Sequence, residues 1–161
     1  MKKQLISQAL ESHLSELVSM SDQIYDFAEP GMEEIQSSRL LTEYLKAKGF
    51  EVECGIAGLP TAFRAVYEQG SGGPSFGFLA EYDAIKDIGH ACGHHIQGPS
   101  VIGAALALCD VCGEEPYKIV IYGTPAEETI GGKIIMKEKG CFQDIDIALM
   151  MHAAPNTCVD V

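Results

Sequence analysis

Three short, mainly apolar runs constrain this chain more than any other feature: 76–80, 119–122 and 145–151. Each is followed closely by side chains that bind metals or carry protons. Asp83 follows the first, Glu127-Glu128 the second and His152 the third. Runs of that length between loop residues read as buried strands. Segments with apolar residues at helical spacing alternate with them. This predicts an α/β fold of three layers, with a mainly parallel central sheet flanked by helices. In open sheets of this kind ligands collect at the carboxyl ends of the strands, where these polar residues fall.

The rest of the chain fits that frame. Residues 4–27 carry Leu5, Ile6, Ala9, Leu10, Leu14, Leu17, Val18, Ile24 and Phe27 at helical spacing, and Pro30-Gly31 stops the helix. A second helix is predicted over 33–48, with Gly49 as the residue just past its end. Strands are expected at Phe50–Cys54, Thr61–Glu68 and Ser75–Glu81, with the glycine-rich 69–74 segment as a hairpin loop between the last two. Residues 82–96 read as irregular. Pro99-Ser100 opens a buried helix through Leu108, Lys118–Tyr122 is a strand, and a helix over 133–139 ends at Gly140. The chain stops at Val161, nine residues after His152. That is an odd place for a catalytic domain to close, so a missing C-terminal portion is expected.

Charge and cysteine usage narrow the classes further. A formal net charge of −12 argues against nucleic acid or an anionic membrane as partner. Ser7, Gln8, Glu11, Ser12 and His13 interrupt the N-terminal segment, which therefore lacks the apolar stretch of a signal peptide. No segment approaches the ~20 apolar residues of a membrane span. Six scattered cysteines in a chain of 161 residues suit reduced thiols and a cytoplasmic location.

The chemistry centres on Cys92-Gly93-His94. One intervening residue lets both side chains reach one ion if the backbone turns, and Gly93 permits the turn. A thiolate, two histidines (His94 and His152) and one of the adjacent glutamates, meeting at strand ends, make a zinc site. The other glutamate stays free to take a proton from water. Asp83 reads as a carboxylate that orients a histidine ligand. Taken singly, each feature has a duller reading: a packed cysteine, a solvated acidic pair, a structural histidine, a loop-capping aspartate. His90, His95 and Glu81 lie close by and leave the ligand count open. Cys109 and Cys112 end an apolar helix and read as packing, and Cys54, Cys141 and Cys158 have no evident partners. Gly131-Gly132-Lys133 lacks the rest of a phosphate loop. A thiol hydrolase with Cys92 as nucleophile and His94 as base is the competing chemistry.

Four segments in order carry a resemblance. They are Phe78-Leu79-Ala80-Glu81-Tyr82-Asp83-Ala84, Gly89-His90-Ala91-Cys92-Gly93-His94, Gly123-Thr124-Pro125-Ala126-Glu127-Glu128 and Met151-His152-Ala153-Ala154-Pro155. Together they resemble the aminoacylase/carboxypeptidase family of di-metal amidohydrolases. Within it they resemble the subgroup with a cysteine in place of a bridging aspartate, which includes p-aminobenzoyl-glutamate and auxin-conjugate hydrolases. Gly58–Ala65 is similar to that subgroup too.

The resemblance implies a zinc-peptidase-like catalytic domain with Cys92 as bridging thiolate. His94, Glu128 and His152 would be further ligands, Glu127 the general base and Asp83 an orienting group. It implies two divalent ions, with zinc favoured by the donor set and manganese, cobalt or nickel as the other fitting ions. It also implies a late histidine ligand, an inserted lid or dimerisation domain and a homodimeric complete protein, all requiring chain beyond 1–161. His95 departs from the pattern, since relatives more often carry Asp or Asn there. The expected activity is hydrolysis of N-acyl amino acids, dipeptides or aminobenzoyl-glutamate-like amides. The alternative is a truncated or degenerate non-catalytic member that keeps the fold and one metal.

Overall fold

The computed structural model describes residues 2–156 and residue 159. The elements run α1 (Lys2–Phe27), α2 (Ile35–Ala47), β1 (Glu51–Cys54), β2 (Phe63–Gln69), β3 (Ser75–Ala80), α3 (His94–Val111), β4 (Tyr117–Gly123), α4 (Gly132–Glu138) and β5 (Ile147–Leu149), with a single 3-10 turn at Ile56–Gly58. The α2 terminus follows from its sequence. The Phe50 N–H donates to the Leu45 carbonyl and the Gly49 N–H to that of Lys46, the paired bonds of a Schellman stop.

The five strands form one sheet in the order β1-β2-β4-β3-β5. β4, β3 and β5 are mutually parallel, while β1 and β2 extend the sheet antiparallel. β4 lies at the centre and is buried on both faces, hence its unbroken apolar run. Ile119 and Ile121 face a core built with Leu17, Met20 and Ile24 of α1, Leu41 and Leu45 of α2, and Val101 and Ile102 of α3. Val120 and Tyr122 face the other way, toward Ile56 and Leu59 at the 3-10 turn and Met136 of α4. The three layers are therefore as expected.

Three local expectations need correcting. The 69–74 segment is not a hairpin loop: β4 inserts between β2 and β3, pairing antiparallel with one and parallel with the other. The segment instead crosses over the start of β4. There a Cβ on Gly73 would fall 1.7 Å from the Pro116 carbonyl oxygen. Local turn signals specify a reversal but not whether a later strand fills the gap.

The second correction concerns 82–96, which is not irregular throughout. α3 begins at His94 and runs through Pro99. Proline deprives a helix of one hydrogen bond, here to the His95 carbonyl, and burial of most of α3 outweighs that loss. Third, the last strand is shortened to Ile147–Leu149, and all three residues are exposed on the sheet edge. Cys158 lies outside the described residues. Among those described, no helix is long and apolar enough to cross a membrane.

Candidate metal centre

The parallel register brings three strand ends together. Ala80 of β3 pairs with Gly123 of β4, and Phe78 pairs with Leu149 of β5. The segments that follow, 81–83, 124–128 and 150–152, therefore emerge side by side. α3 points its first turn at the same place. Gly93 adopts φ 89°, which favours glycine, and this reversal sets His94 at the helix start with Cys92 just before it.

His94 is the hub and is fully buried. Its Nδ1 lies 3.0 Å from both the Asp83 main-chain oxygen and Asp83 Oδ1, two acceptors, so Nδ1 carries the proton. Its Nε2 then presents a lone pair toward the site. His152 has the same tautomer, because its Nδ1 lies 2.7 Å from the Ala153 carbonyl. The two Nε2 atoms stand 3.3 Å apart, and Cys92 Sγ lies 3.6 Å from that of His152. Around a tetrahedral zinc, with nitrogens at about 2.0–2.1 Å and sulfur at about 2.3 Å, neighbouring ligand atoms stand about 3.3 Å (N to N) and about 3.6 Å (N to S) apart. Cys92, His94 and His152 thus fit one ion by donor chemistry and by spacing. Their donor atoms all lie within 4.8 Å of one another.

A second group shares His94. Glu81, His94 and Glu127 also bring donor atoms within 4.8 Å of one another. Glu81 Oε2 is 3.3 Å from His94 Nε2, and Glu128 Oε1 is 4.0 Å from the same nitrogen. Both adjacent glutamates therefore face the site. Asp83 is nearly fully buried and joins the two sides: Oδ1 takes the His94 ring and Oδ2 accepts the Glu128 main-chain N–H at 3.0 Å.

The electrostatics favour a cation. Burial pushes the His94 pKa down, but the Asp83 and Glu81 carboxylates more than reverse this and hold it above its ordinary value. Burial likewise pushes Asp83 up, yet hydrogen bonds from His94 and Glu128 leave it below the usual carboxylate range. The Cys92 thiol is pushed up to about 12, first by the Glu128 carboxylate beside it and then by burial. A thiolate in these surroundings needs a positive ion to stabilise it.

Glu81 was legible in the sequence only as a near neighbour. It is buried and bonded on every side: Lys133 Nζ contacts Oε1, and Gln97 Nε2 donates to Oε2 at 3.3 Å. Its signal was its place directly after β3. Lys133 and Gln97 had none, since each comes from a helix whose docking only the fold sets. His90 and His95 stand apart from both donor groups. Their rings lie 5.1 Å apart, each close to Tyr25, and burial lowers both pKa values. Cys109 and Cys112, at the C-terminal end of α3, pack against the core, as expected. A cavity of about 620 Å³ lies elsewhere, between α1 and α3, and is lined chiefly by apolar side chains such as Leu10, Leu14, Val18 and Ile96.

The chain has relatives among known proteins, although no family model matches it. The human (Homo sapiens) Xaa-Arg dipeptidase is 36% identical over 165 residues, covering 91% of this chain and 37% of the relative. A p-aminobenzoyl-glutamate hydrolase component from Escherichia coli (strain K12) is 31% identical over 166 residues, 91% of this chain and 34% of the relative. Among solved structures, a Bacillus subtilis protein described as a dinuclear metal binding peptidase from the M20 family superposes with a TM-score of 0.77. It is 22% identical and covers 91% of this chain and 44% of that one, a likeness of fold. The chain thus spans under two fifths of the length of these curated relatives.

Proposed function

On the premise that this chain belongs to the aminoacylase/carboxypeptidase family of amidohydrolases, the M20 peptidases, we propose that it is the N-terminal portion of a catalytic domain that hydrolyses linear amide bonds with metal-activated water. One observation carries the reading: Cys92, His94 and His152 converge at tetrahedral ligand spacing, beside Glu127 and Glu128 and above a buried Asp83. The substrate class is small amides: N-acyl amino acids, dipeptides or aminobenzoyl-glutamate-like compounds. The complete protein would be a cytoplasmic homodimer with a lid domain and a further histidine ligand outside this chain.

In this reading Cys92, His94, Glu128 and His152 hold two divalent ions, zinc in preference to manganese, cobalt or nickel. The bound ions supply Lewis acidity that polarises the amide carbonyl and acidifies water at the site. Glu127 takes the proton from the attacking water and passes it to the leaving amine nitrogen. Asp83 keeps the His94 tautomer and holds the Glu128 backbone. The thiol-nucleophile alternative is disfavoured by surroundings that push Cys92 up to about 12, the reverse of what a free catalytic thiolate needs.

A second reading is a non-catalytic member that keeps the fold and one ion. It is supported by the completeness of the Cys92, His94 and His152 group within this chain. Elemental analysis of protein purified without chelator tests the centre common to both readings. At least one divalent ion per chain is expected. Unchanged metal content in a Cys92→Ser, His94→Ala double variant would show the assignment to be wrong.

A further inference from the structure

Between α1 and α2, residues 29–34 form a strap beneath the metal centre, and its contacts go to the two loops that shape the site. The Ala84 N–H donates to the Glu29 carbonyl at 2.8 Å, and Pro30 and Ala84 form an isolated parallel bridge directly beyond Asp83. Gly31 packs on the other loop so closely that a Cβ there would lie 2.5 Å from Thr129 Oγ1 and 3.0 Å from the Ala126 Cα. Glu34 completes the strap. It is fully buried, and its Oε1 accepts the Ala126 main-chain N–H at 2.7 Å while Oε2 accepts the Thr61 hydroxyl at 2.9 Å.

Ala126 is an unusual residue to hold. It adopts φ 58°, the left-handed region that a residue with a Cβ seldom takes, directly before Glu127-Glu128. Such a conformation persists only where its surroundings over-determine it. Here they do. Glu34 fixes the amide of Ala126, the Ala126 carbonyl accepts the Gly131 N–H at 2.9 Å, and Asp83 accepts the Glu128 N–H. A regular extended backbone at Ala126 would carry the next two side chains elsewhere.

We propose that Glu34 is a positioning residue of the metal centre: its buried carboxyl clamps the Ala126 amide in the left-handed turn and so aims Glu127 and Glu128 at His94. This rests on the metal-centre reading given above. It assigns to a residue 92 positions before Ala126 in sequence the geometry of both site glutamates. Glu34 touches neither ion nor substrate, and its effect passes through the Ala126 backbone.

The test is titration of the 161-residue chain with cobalt(II), read by visible absorption, which reports the ligand set directly. Circular dichroism at the same temperature checks that each variant is folded. Glu34→Ala should bind cobalt(II) at least about 10-fold more weakly, as losses of supporting groups do, with an altered spectrum. Glu34→Gln keeps an acceptor for the Ala126 N–H and a donor for Thr61, and should return affinity and spectrum to those of the unaltered chain. Glu34→Asp, which stays polar but is one methylene short, should weaken binding like alanine and serves if Glu34→Ala does not fold. Leu45→Ala, a core truncation away from the site, should lower the melting temperature without changing the spectrum. Folded Glu34→Ala or Glu34→Asp with unaltered affinity and spectrum overturns the positioning role alone. No cobalt(II) binding by the unaltered chain overturns the metal-centre reading, and this proposal with it.

Discussion

Replacing Asp83 by alanine tests the centre at its most connected point. One carboxylate serves two loops, taking the His94 ring on Oδ1 and the Glu128 N–H on Oδ2, each at 3.0 Å. Hydrogen bonds to a charged group contribute about 1.5–3 kcal/mol, and an N–H left without an acceptor costs about 1–3 kcal/mol. His94 keeps a second acceptor, the Asp83 main-chain oxygen at 3.0 Å, which trims the first figure. The expected loss of stability is about 2–4 kcal/mol. Metal affinity should fall about 10–100-fold, or about 1.4–2.8 kcal/mol, because the ring and the Glu128 backbone both lose their orienting group.

Asparagine should do little better for metal. It offers one oxygen for two donors and turns its amide hydrogens toward the other. Acid adds a signature of its own. The folded pKa of Asp83 is depressed against the opposing effect of burial. Its contribution is therefore present above the ordinary carboxylate range near about 4 and lost as pH falls through the lower folded value. Asp83→Ala should lose least, relative to the unaltered chain, at the acid end. The assays are competition for zinc against a chromophoric chelator and thermal unfolding across pH. Zinc affinity within about threefold of the unaltered chain would refute the orienting role, since even the weak end of the expected range is about tenfold.

Other outcomes follow from the same geometry. In the complete protein, Glu127→Gln should abolish turnover and keep metal, whereas Glu128→Gln should lose both; equal metal loss by elemental analysis would remove the basis for separate roles. Residues 1–161 alone, supplied with zinc, manganese or cobalt, should show little or no release of amine from a panel of N-acyl amino acids and dipeptides; turnover matching a complete relative would refute the proposal that further ligands and a lid lie elsewhere. Asp144 joins Arg64 of β2 with Lys118 and Tyr122 of β4. Burial raises its pKa, but these partners hold it below the ordinary value, so its contribution is present above the unfolded pKa and lost on acidification. Asp144→Asn should lower the melting temperature at about pH 7 and converge with the unaltered chain toward about pH 3; an equal deficit at both would mean that charge is not what matters.

What could be read from the sequence, and what could not, divides along a physical line. Residues that follow a strong local pattern were legible. The apolar run of β4 forces a buried strand, so Glu127 and Glu128 had to emerge at its end. The helical spacing of 4–27 and the glycine after α2 placed two helices to within a few residues of their observed bounds. Cys92 and His94 were legible because one glycine between them allows one purpose-built reversal. The order of the strands was not. Nothing local to 69–74 tells that β4, some forty residues on, will slide between β2 and β3 and turn a hairpin into a crossover.

The same line runs through the site. Glu34 carries no signal in its own neighbourhood, where Glu33-Glu34 resembles any acidic pair on a helix entry. Its importance arises only after α2 docks and buries it against Thr61 and Ala126. Burying a carboxyl is unfavourable unless its oxygens are bonded, and here both are. Desolvation raises the Glu34 pKa even so, against the pull of those bonds. A fold that keeps such a group beneath an unusual backbone turn, when an apolar side chain would fill the space without that penalty, has put it where a hydrogen-bond acceptor is needed. Ala126 is that need. An acidic pair following a strand is ambiguous in sequence, and the backbone that aims it at His94 is determined from a part of the chain that contributes no ligand at all.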